Sequence, residues 1–134
     1  MNAFIVELQN KAGELARVTE AIAQKGIDIT GFAGTATGEH GAVVLITNDE
    51  AATRKVLAAV GVQVREAEIV PAALEARPGS LAEAARRLAD AGVNIEAAMP
   101  IGMAGDKVTV AFATNDPAKA RSALADAAIS GLRR

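Results

Sequence analysis

Ala3 to Leu8 is a short apolar run containing Ile5 and Val6 and closed by the polar Gln9-Asn10-Lys11, a pattern that predicts a buried strand. Beyond Gly13, the positions Leu15, Val18, Ala21 and Ile22 fall at helical spacing until Gly26, which is placed to end a helix. Ile27 to Thr35 and Ala42 to Thr47 then read as two strands, with Gly38 and Gly41 marking the turn between them. Asn48 or Asp49 caps a second helix whose apolar side is Ala52, Val56, Leu57 and Val60, and Gly61 stops it. Val62, Val64, Ile69 and Val70 supply a last strand, so the first half has the order βαββαβ.

The second half repeats the first. Gly13, Leu15, Gly26 and Ile29 return as Gly79, Leu81, Gly92 and Ile95, always 66 residues later, and Thr47-Asn48-Asp49 returns as Thr114-Asn115-Asp116, 67 later. One residue has therefore been inserted between these landmarks, and the turn containing Gly102, Gly105 and Asp106 is expected to carry it. Ala72 to Ala76, Val93 to Met99 and Lys107 to Ala113 should be strands. Leu81, Ala84, Leu88 and Ala91 mark the inner face of a helix opened by Ser80, with Glu83 three places on as its capping-box partner. After a last helix over Ala118 to Ala127, Ile129 to Arg134 leaves room for only a stub of a fourth strand.

Two units are expected, 1–70 and 71–134, and no Gly- or Ser-rich linker separates them between Glu66 and Glu75. The last strand of the first should run almost directly into the first strand of the second, with Pro71 at a strand end, an edge or a bulge because it lacks a backbone N–H. The fold class is α+β: two ferredoxin-like units, each an antiparallel sheet with both helices on one face, the second with a short or missing last strand. A unit of roughly 65 residues buries only about 60% of the surface of its unfolded chain, so the halves should depend on each other.

Composition narrows the chemistry. With 51% apolar and 22% charged residues the chain reads as globular. It has no Cys, and the single His40 in Gly38-Glu39-His40-Gly41 has no partner for a zinc site, so no metal or cofactor is expected. A net charge of −2 with scattered basic residues gives no footprint for nucleic acid. The only aromatic residues are Phe4, Phe32 and Phe112, which leaves nothing on which to stack RNA bases. Neither a signal peptide nor a run of 18 apolar residues is visible, which argues against a membrane and for the cytoplasm. No nucleophile is paired with a base and no phosphate loop is present, so the chain does not read as an enzyme.

The candidate chemistry lies in Asn10-Lys11-Ala12-Gly13-Glu14-Leu15 and Arg77-Pro78-Gly79-Ser80-Leu81, each with a Gly at the start of a helix. Unpaired N–H groups and the positive end of the helix dipole favour a small anion there. The plainer reading is that each Gly only lets the chain turn into its helix.

These two loops, together with Gly26-Ile27-Asp28-Ile29 and Gly92-Val93-Asn94-Ile95, resemble the ACT domain family of amino-acid-binding regulatory modules, in two consecutive copies over nearly the whole chain. The usual Pro before the first Gly is present as Pro78 but replaced by Ala12. Within one unit, the helix-start loop and the second-strand start lie at opposite ends of parallel strands. The resemblance therefore implies units paired edge to edge, with the loop of one meeting the strand start of the other.

Carried across, the loop Asn is Asn10 in the first copy but Ala76 in the second, while the strand Asn is Asn94 in the second but Asp28 in the first. One pocket is thus expected from Asn10, Lys11, Ala12, Gly13, Glu14 and Leu15 with Asn94 and Ile95. A weaker one is expected from Arg77, Pro78, Gly79, Ser80 and Leu81 with Asp28 and Ile29, where Arg77 and Asp28 could simply neutralise each other. The resemblance implies an amino acid ligand, a homodimer, and a metabolic enzyme regulated in trans. The alternative is an interaction module that assembles through its sheet edges and binds no small molecule.

Overall fold

A computed structural model describes the backbone of residues 1–133 and the side chains through residue 125. The elements run β1 (Asn2–Gln9), α1 (Glu14–Gln24), β2 (Ile29–Thr37), β3 (His40–Thr47), α2 (Glu50–Val60), β4 (Val64–Glu75), α3 (Ser80–Asp90), β5 (Ile95–Ala104), β6 (Lys107–Thr114) and α4 (Pro117–Arg133). The chain divides into two compact units, one of Asn2–Ala67 and one of Glu68–Arg134 together with Met1, so the boundary falls inside β4. What the sequence suggested as two strands in close succession is one strand of 12 residues.

In the N-terminal unit the strand order is β2-β3-β1-β4, with β1–β3 and β2–β3 antiparallel. Phe4 and Val6 of β1, Val43 and Leu45 of β3, Val18 and Ile22 of α1, and Val56 and Leu57 of α2 form its core. Inward residues two apart on the strands meet residues three and four apart on the helices, which is how the two periodicities bury a common face. Asp49 caps α2 by accepting the N–H of Ala52, and Gly61 ends it with a φ of 82°.

The C-terminal unit has the order β4-β6-β5, again antiparallel, over a core that includes Val70, Leu74, Ala84, Leu88, Phe112 and Leu124. Cross-strand pairs show how duplicates diverge without changing plan. Phe4 lies opposite Leu45 in the first unit and Val70 opposite Phe112 in the second. The aromatic ring has moved to the other strand of the pair while remaining in the core, a swap that roughly conserves the volume to be filled.

Several expectations need correction. Pro71 lies well inside β4, opposite Ala111. Ile69 N–H points away from β6, donating to the Met1 carbonyl at 3.0 Å, so two residues on the Pro71 nitrogen also faces away and its missing N–H removes no β4–β6 bond. The inserted residue is not in the turn: Thr37 pairs with His40 and Ala104 with Lys107, leaving two-residue loops in both hairpins. The extra residue is taken up by an irregularity of β5 between Pro100 and Gly102. Helix α4 continues to Arg133 over the positions where a strand stub was expected, and residue 134 lies outside the described residues.

Leu15 and Leu81 also leave the inner faces assigned to them: they are 48% and 56% exposed, in the first turns of α1 and α3. No helix among the described residues is long and apolar enough to cross a membrane.

Candidate functional site

The two helix-start loops have the same backbone. Gly13 holds φ 90° and ψ −11°, and Gly79 holds φ 92° and ψ −12°. Only glycine adopts this left-handed geometry without strain, so the turn by itself explains both residues. Neither α1 nor α3 has a side-chain cap, which leaves first-turn N–H groups unclaimed by the helix. Above Gly13 no atom lies within 4 Å of a Cβ placed there, so the loop is open to solvent.

The expected capping box is absent. Ser80 is the first helical residue, buried, and its Oγ has no hydrogen-bond partner. Glu83 turns instead to Arg77, at 3.5 Å. Because Gly79 occupies the capping position and its carbonyl already accepts the Glu83 N–H, the hydroxyl sits one residue too far along to cap.

In the N-terminal unit the loop borders a cavity of about 370 Å³ lined by Gln9, Asn10, Lys11, Glu14, Leu15 and Phe32, among others. Asn10 is fixed by its backbone N–H, donating to the Glu39 carbonyl at 3.0 Å, and by Nδ2, donating to the Gly38 carbonyl at 2.8 Å. The amide is thereby oriented with Nδ2 committed to the β2–β3 turn, which defines Oδ1 as the acceptor. Glu14 faces Arg17 with both carboxylate oxygens, each at 3.3 Å, and this hydrogen bonding holds its carboxyl below the usual range against the opposing effect of desolvation. The result is a fixed negative charge beside Lys11 and the amide of Asn10.

The matching loop of the C-terminal unit keeps the frame and loses the amide. Ala76 N–H donates to the Asp106 carbonyl at 2.7 Å, as Asn10 N–H does to Glu39, but no side chain follows. Arg77, proposed from the sequence as a partner for Asp28, pairs within its own unit with Glu75 at 3.4 Å and Glu83 at 3.5 Å.

Asp28 and Asn94 immediately precede the second strand of each unit, β2 and β5, and both are exposed. Each is gripped by an Asn that the sequence had placed only near a helix start: Asn48 Oδ1 accepts the Asp28 N–H, and Asn115 Oδ1 accepts the Asn94 N–H. Of the predicted site residues, the structure brings Asn10, Lys11, Glu14 and Leu15 to one cavity, with Ala12 and Gly13 in the same loop. Ile29 shares a second, adjoining cavity with Leu15, while Asp28 lines neither. Phe32 and Gln9 line the first cavity and were missed. A lone Phe in a strand otherwise made of Gly, Ala, Thr and Ile was the available signal.

The ACT domain pair matches residues 1–131. A solved structure from Bacteroides thetaiotaomicron superposes with a TM-score of 0.78 at 23% identity, covering 93% of this chain and 86% of that one. The regulatory subunit of aspartate kinase from Thermus thermophilus, in ligand-free form, gives 0.64 at 17% identity, covering 94% and 91%. One described as a C-terminal regulatory domain of aspartate kinase from Porphyromonas gingivalis gives 0.61 at 18%, covering 95% and 91%. Identities this low carry the fold alone, and a search of curated proteins found no match. With its duplicated loops, its two ferredoxin-like units and a family match over nearly its full length, the chain belongs to the ACT domain pair family.

Proposed function

We propose that this chain is a non-catalytic regulatory module that binds a free amino acid at the helix-start loop of its N-terminal unit. The observation that carries the reading is the cavity that joins an uncapped helix start to Asn10, Lys11, Glu14 and Leu15. A zwitterion presents a carboxylate and an ammonium a few ångströms apart. The Glu14 N–H already donates to the Lys11 carbonyl, but the N–H groups of Gly13 and Leu15 on either side of it, with the Lys11 ammonium, suit the carboxylate. Asn10 Oδ1 and the Glu14 carboxylate suit the ammonium. Asn94 and Ile95, at the strand start of the C-terminal unit, are further candidate contacts, with the Asn94 amide oxygen also accepting from the ammonium.

The loop from Arg77 through Pro78, Gly79 and Ser80 to Leu81 is the weaker site, with Asp28 and Ile29 as its candidate strand-start contacts. It lacks the amide, and its guanidinium is already paired. A regulatory role also agrees with the structures of similar fold that are described as regulatory parts of aspartate kinase. By the same reading the chain works as a homodimer in the cytoplasm and acts on a metabolic enzyme in trans.

A thermal-shift screen of the twenty amino acids against the intact chain tests this, since a ligand that prefers the native state raises its melting temperature. A hit should be weakened by Asn10→Ala and by Asn94→Ala, and little affected by Ala76→Ser. If none of the twenty shifts the transition, the amino-acid reading is wrong. The competing reading, an interaction module that assembles through sheet edges, draws on Phe32 and Met103, 68% and 73% exposed on β2 and β5, each an end strand of its unit. It would be favoured by a stable dimer that no amino acid affects.

A further inference from the structure

Resting on the amino-acid reading above, we infer that the ligand carries a large apolar side chain, branched aliphatic or aromatic, seated between α1 and β2. A second cavity of about 260 Å³ adjoins the loop cavity there, lined by Leu15, Thr19, Ile29, Phe32, Val43 and Leu45. Leu15, Phe32 and Val43 line both cavities, so the two lie side by side. Their chemistry differs sharply. The loop cavity holds the amide, the cation and the carboxylate that complement a zwitterion, whereas the slot has a single side-chain hydroxyl. That hydroxyl, Thr19 Oγ1, already donates to the Leu15 carbonyl at 2.8 Å. A charged ligand group entering the slot would lose water in exchange for one hydroxyl oxygen already engaged with α1, while a hydrocarbon side chain would lose nothing.

The wall of the slot is also broad. Phe32 extends it beyond Leu15 and Ile29, leaving room for more than a methyl group. The duplicate supplies an independent argument. Asn10 and Phe32 correspond to Ala76 and Ala98, the latter pair fixed by the matched registers of Phe32 with Leu45 and Ala98 with Phe112. The second copy has lost the polar anchor and the aromatic wall together, as expected if both serve one ligand.

Calorimetric titration of the intact chain tests the inference. Leucine or phenylalanine should bind at least about tenfold more tightly than alanine, and lysine, aspartate and serine should bind no better than alanine. Phe32→Ala should remove most of that preference, and Phe32→Leu should recover part of it. Because Phe32 is largely exposed, the ligand-free melting of both variants should stay close to that of the parent chain. A polar amino acid binding as tightly as leucine and phenylalanine, or an unchanged preference in Phe32→Ala, would overturn the apolar slot and leave the amino-acid reading standing. Loss of a dimer in sedimentation by Phe32→Ala with unchanged ligand preference would overturn it too, by identifying the slot as a subunit contact. Failure of all twenty amino acids to bind would instead remove the reading on which it rests.

Discussion

Asn48 grips the peptide backbone of Asp28 at two points: its Oδ1 accepts the Asp28 N–H at 2.9 Å, and its own N–H donates to the Asp28 carbonyl at 3.1 Å. Asn115 does the same for Asn94, at 3.0 Å and 3.2 Å. Each clamp ties the start of a unit's second strand to the end of its third, and leaves the side chain at position 28 or 94 exposed. Asn48→Ala and Asn115→Ala should each remove one side-chain hydrogen bond and destabilise by about 1 kcal/mol. The midpoint of urea unfolding reads this, and an unchanged midpoint in both variants would show the clamps to be dispensable.

The twin glycines make a sharper comparison. Gly13 and Gly79 share a left-handed backbone to within a few degrees, and a methyl group at either would meet no crowding: nothing within 4 Å at Gly13, and only the Arg77 Nη1 at 3.9 Å at Gly79. Gly13→Ala and Gly79→Ala should therefore cost the same, about 1–2 kcal/mol each, through backbone strain alone. If ligand binding depends on the N-terminal loop, only Gly13→Ala should also weaken it strongly.

The features that could be read from the chain are the local ones. A cap at Asn48 or Asp49, Gly61 as a stop and the β-α-β-β-α order of a unit depend on residues a few positions apart; the structure has all of them, with Asp49 as the cap. The features that could not be read depend on partners far along the chain. Helical spacing groups Leu15 and Leu81 with buried residues of their helices, but it cannot say which of these tertiary packing will cover, and both emerge exposed in the first turns of α1 and α3. An inserted residue can enter a turn or a bulge at equal length, and only cross-strand register assigns it to β5. Phe32 carried no periodic signal, because the α1 residues with which it lines a cavity, Leu15 and Thr19, lie 17 and 13 positions away in sequence.

Acid should weaken the N-terminal unit through Glu66. Its carboxylate accepts Arg54 Nε at 2.5 Å and Nη2 at 2.7 Å, and Asn2 Nδ2 at 3.1 Å. The Arg54 hydrogen bond, then that of Asn2, lowers its pKa from 4.5 to about 2. A depressed carboxyl contributes stability above its unfolded pKa and loses it as pH falls through the folded one, so the contribution should disappear between about pH 4.5 and pH 2. Arg54 is half exposed, which screens the pair to about 0.2–1 kcal/mol at neutral pH. Glu66→Gln should lower stability at pH 7 by that amount and by less at pH 2.5, as measured by urea titrations at the two pH values.

Ser80 separates the sequence reading from the structural one most cleanly. If it capped α3, Ser80→Ala would cost about 1 kcal/mol. In the structure its hydroxyl is buried at the first helical position with no partner, while Glu83 serves Arg77. A buried polar atom without a hydrogen bond carries its desolvation penalty uncompensated, and replacing it with a methyl hydrogen removes that penalty. Alanine is also the best helix former, and Ser80 already has helical backbone. Ser80→Ala should thus be neutral or stabilise by up to about 1 kcal/mol. The corresponding change in the first copy, Glu14→Ala, removes the carboxylate that faces Arg17 and lines the loop cavity, and should reduce ligand affinity. A urea midpoint for Ser80→Ala well below that of the parent chain would restore the capping box and contradict the geometry at Gly79.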